Sequence, residues 1–212
     1  MPVIAAIVAA FIIGAVPFGY LVARAYGIQD IRQHGSGNIG ATNVYRVVGG
    51  KAAAWVFTAD IGKGVVAVLL ARYIASLFAL PWVSNELFFV LCAIAAILGH
   101  IFTPFLGFKG GKGVNTALGT MACLLPLECL MALVMFALIF FAFRIVSLAS
   151  ILATCSLFFI LLAEAKLLDR PVPTVYYDVA AVLAALILFT HRSNIVRLLS
   201  GKEKRITFRS RL

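Results

Sequence analysis

Seven apolar stretches, at about 3–26, 52–77, 84–106, 113–125, 127–145, 147–166 and 175–191, leave this chain few ways to fold. A helix of roughly 20 apolar residues crosses the hydrocarbon core of a bilayer, where every backbone N–H and C=O must pair internally. The fourth stretch is too short to cross unaided. With 63% hydrophobic and 12% charged residues in 212, no length remains for a separate soluble domain. The expectation is an all-α polytopic membrane protein of about seven transmembrane helices, one integral-membrane domain over 1–212. The opening Met-Pro-Val-Ile-Ala-Ala lacks the cationic start of a cleaved signal peptide, so the first stretch is expected to be a retained span. Cys92, Cys123, Cys129 and Cys155 lie inside apolar runs without metal-type spacing and read as unpaired packing residues. Neither a metal nor a cofactor is expected.

Charge supplies an orientation. Arg24, Arg32, Arg46, Lys51, Lys109, Lys112, Arg144 and the seven basic residues from Arg192 to Arg211 alternate onto one side, with only Arg72, Lys166 and Arg170 near the other. Basic loops stay in the cytoplasm, which predicts the N-terminus outside and the C-terminus cytoplasmic. The net charge of +10 is therefore mostly topological, with some attraction to anionic headgroups of membrane lipids, and nucleic acid is not an expected partner.

Three segments on that cytoplasmic side carry polar residues that topology does not require. In Gln33-His-Gly-Ser-Gly-Asn-Ile-Gly-Ala-Thr-Asn-Val-Tyr-Arg46, glycines loosen the backbone around Ser36, Asn38, Thr42 and Asn43, and Arg46 offers a planar fork for phosphate or carboxylate. In Gly107-Phe-Lys-Gly-Gly-Lys-Gly-Val-Asn-Thr116, four glycines and two lysines precede a helical stretch. Such a turn lets backbone N–H groups curl around an anion at the positive end of a helix dipole. Lys112 is followed by Gly113 rather than Ser or Thr, so the nucleotide-binding P-loop pattern is absent. The third segment begins at Thr190-His-Arg-Ser-Asn-Ile195. If the helix continues, His191, Asn194 and Ile195 share a face, and Glu203, the one acid of the basic tail, pairs with neighbouring cations. Within the spans, Asp60 and Lys63 stand at i, i+3 and should face the interior, since an unpaired charge there costs about 2.5–3.5 kcal/mol on insertion scales. Arg144 and Ser147 offer a further anion contact. His100, near the end of an apolar helix, has either a catalytic role or a partner on a neighbouring helix.

Ser-Gly-Asn-Ile-Gly-Ala-Thr-Asn-Val-Tyr-Arg at 36–46, Asp-Ile-Gly-Lys-Gly at 60–64, Gly-His-Ile-Phe-Thr-Pro-Phe-Leu-Gly-Phe-Lys-Gly-Gly-Lys-Gly-Val-Asn-Thr at 99–116 and His-Arg-Ser-Asn-Ile-Val-Arg-Leu-Leu-Ser-Gly-Lys-Glu at 191–203 resemble, in order, the motifs of the bacterial PlsY family. The resemblance covers nearly the whole chain. It implies an acyl-phosphate:glycerol-3-phosphate acyltransferase, which acylates the 1-hydroxyl of sn-glycerol 3-phosphate at the cytoplasmic face of the inner membrane, the first acylation of phospholipid synthesis. It places the essential serine and arginine of the first motif at Ser36 and Arg46. The glycerol-phosphate loop falls at Gly110, Gly111, Lys112 and Gly113 with Thr116 beyond it, the third motif at His191, Asn194 and Glu203, and a serine-bearing helix start at Ser147.

The residues suit that chemistry. Both substrates are anionic phosphates and one has a long apolar tail, so cations and backbone donors are needed at the membrane surface. An acyl phosphate is a mixed anhydride with a good leaving group, so direct attack by the glycerol hydroxyl requires no enzyme nucleophile. Arg46, Lys112 and Ser147 are expected to bind phosphate, the 110–113 amides to position it, and Ser36 with Asn38 to donate toward the developing oxyanion. Either His191 or a substrate phosphate oxygen takes the proton. Rival readings fare worse. The residues five beyond His34, His100 and His191 are Ile39, Phe105 and Val196, so the His-x4-Asp pair of other acyltransferases is missing. A lone Asp60 does not make the aspartate array of a metal-dependent phosphotransferase. A small anion transporter would explain the intramembrane charges but not the gathering of motifs on one face.

Overall fold

The computed structural model describes residues 2–207, so Arg209 and Arg211 of the basic tail lie outside the described residues. Among the described residues the regular structure is helical, and the chain divides into two compact units, Met1–Pro126 and Leu127–Leu212.

In the first unit α1 (Pro2–Ala15) and α2 (Phe18–Ala25) come from a single apolar stretch. Proline at 17 has no N–H to give the preceding turn, and the helix breaks at Val16–Pro17. Two carbonyls at the break are taken up from elsewhere in the unit: Thr103 Oγ1, just past the end of the Asn85–Ile101 helix, donates to Ala15 O at 2.6 Å, and Lys63 Nζ to Val16 O at 3.0 Å. A short α3 (Ala41–Val47) leads into α4 (Gly50–Leu77), the long helix against which α1, α2, α3, α5 (Asn85–Ile101) and α6 (Val114–Leu124) pack. Trp55 and Tyr73 are exposed near the ends of α4, about 27 Å apart at 1.5 Å per residue, which matches a hydrocarbon core flanked by aromatic anchors.

Glycine sets the close crossings. A Cβ on Gly14 would strike the Ala96 backbone of α5, and one on Gly99 would strike Phe11 of α1. Likewise Gly64 of α4 lies on the Thr116 backbone of α6, and Gly119 of α6 on Ile61 of α4. In lipid no hydrophobic force drives helices together, so such backbone-to-backbone packing carries association. Arg72 extends the α4–α6 contact by donating to Cys123 O near the end of α6 at 2.6 Å. Gly64→Val should therefore destabilise the fold by at least about 2 kcal/mol through overpacking. The four free cysteines give the readout: a thiol-reactive dye should report a lower melting midpoint in detergent, and an unchanged midpoint would show that the crossing tolerates a side chain.

The second unit holds α7 (Pro126–Phe143), α8 (Val146–Leu167), α9 (Thr174–Thr190) and α10 (Arg192–Leu199), with α8 packed on α9. Across the unit boundaries every apolar stretch becomes helical, but seven full crossings do not follow from length. Among the described residues, five helical stretches are long and apolar enough to span: Pro2–Ala25 taken through its break, Gly50–Leu77, Asn85–Leu106, Pro126–Phe143 and Val146–Leu167. A sixth results if α9 and α10, bent by 67°, count as one. Helix α6 has 11 residues, about 16 Å, half of a hydrocarbon core.

Candidate functional site

The polar segment at 30–46 is shaped by two side chains. Asn43, on α3 and 1% exposed, accepts the Ser36 N–H at 2.7 Å through Oδ1. Its Nδ2 donates to Asn38 O at 2.8 Å and His34 O at 3.0 Å. One buried amide thus ties both flanks of the Ser36 turn. Gly37 in that turn has φ 73°, a left-handed conformation suited to glycine. Ser36 is exposed, and its hydroxyl has no partner among the described residues. Asn38 accepts the Gly40 N–H at 2.9 Å through Oδ1, which leaves its amide nitrogen as the donor end. Arg46 is half-buried on the same short helix as Asn43, three residues on.

Arg32 joins this segment to the glycine-rich one. It pairs with Asp30 Oδ2 through Nη2 at 2.7 Å and donates through Nη1 to Leu106 O at 3.1 Å. The Arg32 side chain and its backbone N–H hold the Asp30 carboxyl down at about 2, and the same pairing raises the guanidinium. Neither residue belongs to the site read from sequence. Their spacing, i and i+2 on a cap at Asp30, looks like ordinary turn chemistry.

The glycine-rich loop differs from the expected cradle in an instructive way. The N–H groups of Gly110 and Gly111 donate to the Ile101 and His100 carbonyls, each at 3.0 Å. They cap the end of α5 instead of facing an anion. Both positions need glycine, because a Cβ on Gly110 would strike the His100 carbonyl and one on Gly111 the His100 ring. The anion-directed donors therefore lie one step later. Gly113, with φ 86°, caps α6, and the amides of Val114, Asn115 and Thr116 precede the first bond of the helix, Ala117 N–H to Gly113 O at 2.8 Å. Lys112 is half-buried at this entry, and Thr116 is fully buried with a hydroxyl that has no partner among the described residues. Asp60 and Lys63 pair inside α4 at 2.8 Å, as a buried i, i+3 pair should.

In the second unit Glu203 is the hub. Its Oε1 accepts from Ser147 Oγ at 2.8 Å and Asn194 Nδ2 at 2.6 Å, and its Oε2 accepts from Arg197 Nε at 2.7 Å. Burial pushes the carboxyl up, but the bonds from Asn194, Ser147 and Arg197 together outweigh it and hold the group below its ordinary value. Ser147, read from sequence as a phosphate contact, spends its hydroxyl proton on this carboxylate. The Ile206 N–H bonds Arg144 O at 2.8 Å, so the tail is fastened to the α7–α8 turn twice. The helix does not continue through His191: α9 stops at Thr190, and His191 sits at the corner as the end of one helix and the cap of the next. His191 and Asn194 are both buried. His191 Nδ1 lies 2.9 Å from the Ile187 carbonyl oxygen, which only accepts, so the neutral ring carries its proton there and its basic lone pair at Nε2.

Comparison with known proteins follows the same residues. The family described as glycerol-3-phosphate acyltransferase matches residues 4–201. The glycerol-3-phosphate acyltransferase of Geotalea daltonii is 43% identical over 93% of this chain and 94% of its own length. That of Neisseria meningitidis serogroup C is 40% identical over 96% of each. Among solved structures, PlsY (YgiH), an integral membrane glycerol 3-phosphate acyltransferase, superposes in its glycerol 3-phosphate form with a TM-score of 0.85 at 37% identity, covering 98% of this chain and 96% of that one. Its lysophosphatidic acid form gives a TM-score of 0.83 at 36% identity over the same shares of the two chains.

Proposed function

Since the chain belongs to the glycerol-3-phosphate acyltransferase family, we propose that it transfers a fatty acyl group from acyl phosphate to the 1-hydroxyl of glycerol 3-phosphate, giving lysophosphatidic acid and phosphate. The observation that carries this reading is the entry to α6, where Lys112 and the amides following Gly113 offer a cation and oriented N–H groups to a phosphate. Arg46 supplies a second cation. The exposed Ser36 hydroxyl and the Asn38 amide nitrogen donate to the acyl oxygen as the hydroxyl adds and negative charge develops there. Collapse then breaks the bond from acyl carbon to phosphate oxygen, and inorganic phosphate leaves. We assign the proton of the attacking hydroxyl to Nε2 of His191, the nitrogen that its Ile187 contact leaves basic. Asn194 and Ser147 are positioned through Glu203. The family match over 4–201 supports taking 1–212 as one acyltransferase domain.

The membrane placement rests on charge. The protein is an integral membrane enzyme; we place it in the bacterial inner membrane, with the N-terminus outside and both the 107–116 segment and the C-terminus cytoplasmic, because the basic residues gather on those boundaries. Purified protein tests the reaction: lysophosphatidic acid formed from acyl phosphate and glycerol 3-phosphate supports it, whereas glycerol 3-phosphate flux into liposomes without product supports a transporter. Orientation is tested by Lys202→Cys, which an impermeant maleimide should label in inside-out vesicles and not in right-side-out cells; the reverse pattern overturns the placement.

A further inference from the structure

A buried cluster that the reaction does not use lies beneath the glycine-rich loop. Lys63 Nζ is 2.8 Å from Asp60 Oδ1, 2.7 Å from His100 Nδ1 and 3.0 Å from the Val16 carbonyl at the proline break. Asp60, Lys63 and His100 are 1%, 4% and 4% exposed. An ammonium donates and cannot accept, so Lys63 gives protons to the Val16 carbonyl and to His100 Nδ1, which must accept; its contact with Asp60 Oδ1 is an ion pair, and that oxygen, 3.5 Å from His100 Nδ1, has no hydrogen-bond partner among the described residues. The ring proton therefore sits on Nε2, and Nε2 is the atom that a Cβ on Gly111 would meet. The His100 ring is thus fixed on one edge by Lys63 and fills the space under Gly111 with the other. Its own carbonyl takes the Gly111 N–H at 3.0 Å. One residue beyond Lys63, Gly64 lies on the Thr116 backbone in the first turn of α6. Both ends of the run from Gly110 to Thr116 consequently rest on the same turn of α4, one through His100 and the other directly. A charged pair placed in a membrane span only to join helices would be a costly substitute for the small-residue crossings already present.

We propose that Asp60, Lys63 and His100 are positioning residues that set the height and tilt of the 110–116 loop, and so the affinity of the enzyme for glycerol 3-phosphate. Asp60 holds Lys63, Lys63 holds the His100 ring against the broken first span, and the ring supports Gly111 next to Lys112. This rests on the assignment of glycerol phosphate to that loop, and a parallel Lys112→Met measurement separates failure of the one from failure of the other.

The test uses the full enzyme in detergent or liposomes with glycerol 3-phosphate and acyl phosphate varied separately. Asp60→Asn/Lys63→Met removes both charges and so leaves no unpaired ion in the span. His100→Phe keeps a ring under Gly111 but cuts the link to Lys63, and His100→Asn restores a polar atom near the Nδ1 position. Loss of positioning should raise the KM for glycerol 3-phosphate roughly 10- to 100-fold in the first two variants, with the KM for acyl phosphate within about twofold and His100→Asn intermediate. A purely architectural cluster gives a different pattern: less folded enzyme and lower kcat, with both KM values unchanged. That pattern in whichever variant folds overturns the proposal, as does an equal rise in both KM values. If Lys112→Met also leaves the glycerol 3-phosphate KM unchanged, the loop assignment itself has failed.

Discussion

Lys112→Met should raise the glycerol 3-phosphate concentration for half-maximal rate by roughly 100-fold or abolish turnover, with the fold intact. A hydrogen bond to a charged partner contributes about 1.5–3 kcal/mol, and each 1.4 kcal/mol is tenfold, so a lysine held at the mouth of a phosphate site is worth about two decades. Methionine keeps the length and the apolar stem, so packing at the half-buried position changes little. The neighbouring amides cannot fully compensate, because Gly110 and Gly111 have already committed theirs to the end of α5. Lys112→Arg should recover part of the loss, since the charge returns with a wider fork. An enzyme whose kinetics survive Lys112→Met would remove this residue from the site and leave the α6 amides and Arg46 as its anion contacts.

Glu203→Ala is expected to cost about 2–3 kcal/mol in the ordering of the second-unit cluster, since three donors lose one acceptor and two of them, on Ser147 and Asn194, are buried. At 1.4 kcal/mol per decade that corresponds to a fall of roughly 30- to 100-fold in kcat/KM if ordered Asn194 and His191 are required for turnover. The direction with pH follows from the lowered carboxyl. A carboxylate stabilised in the folded state contributes fully above its ordinary range and loses that contribution as pH falls through the folded value. Glu203→Gln at neutral pH should therefore resemble the wild-type enzyme in strong acid rather than at pH 7. Steady-state kinetics of the two variants beside thermal melting would check this, and wild-type rates in Glu203→Ala would reduce the hub to a surface contact.

The helical architecture was legible because membrane crossing imposes one requirement, a run of apolar residues, that local sequence states outright. The breaks were less so. Pro17 falls inside the stretch read as one span at 3–26, and nothing local told that Val16 O and Ala15 O would be taken up by Lys63 and Thr103 from 47 and 88 residues away. The bend at His191 escaped because Thr-His-Arg-Ser-Asn holds no proline or glycine, and helical spacing continued the face through it. Motif residues that stand beside glycine, such as Ser36, Lys112 and Gly113, stood out. Asn43 stood among the polar residues of the first segment, and its part there, closing the Ser36 turn from inside, depends on three backbone partners that spacing does not name. Asp30 and Arg32 were missed as a pair, and the role of His100 was left open, because their partners, Leu106, Lys63 and Gly111, are set by tertiary contact. Glu203 was read as pairing with neighbouring cations, whereas two of its three donors are the neutral Ser147 and Asn194.

The pairing of Gly110 with Ile101 and Gly111 with His100 also closes a neck on the 102–109 segment, whose tip carries left-handed Gly107 and Phe108. A loop closed at its neck can change length at the tip without moving what lies beyond the neck. Doubling its length adds only about 0.6 kcal/mol of closure entropy. Among relatives, insertions and deletions in this region should gather near 105–108, while the count of residues from Gly110 to Thr116 stays constant.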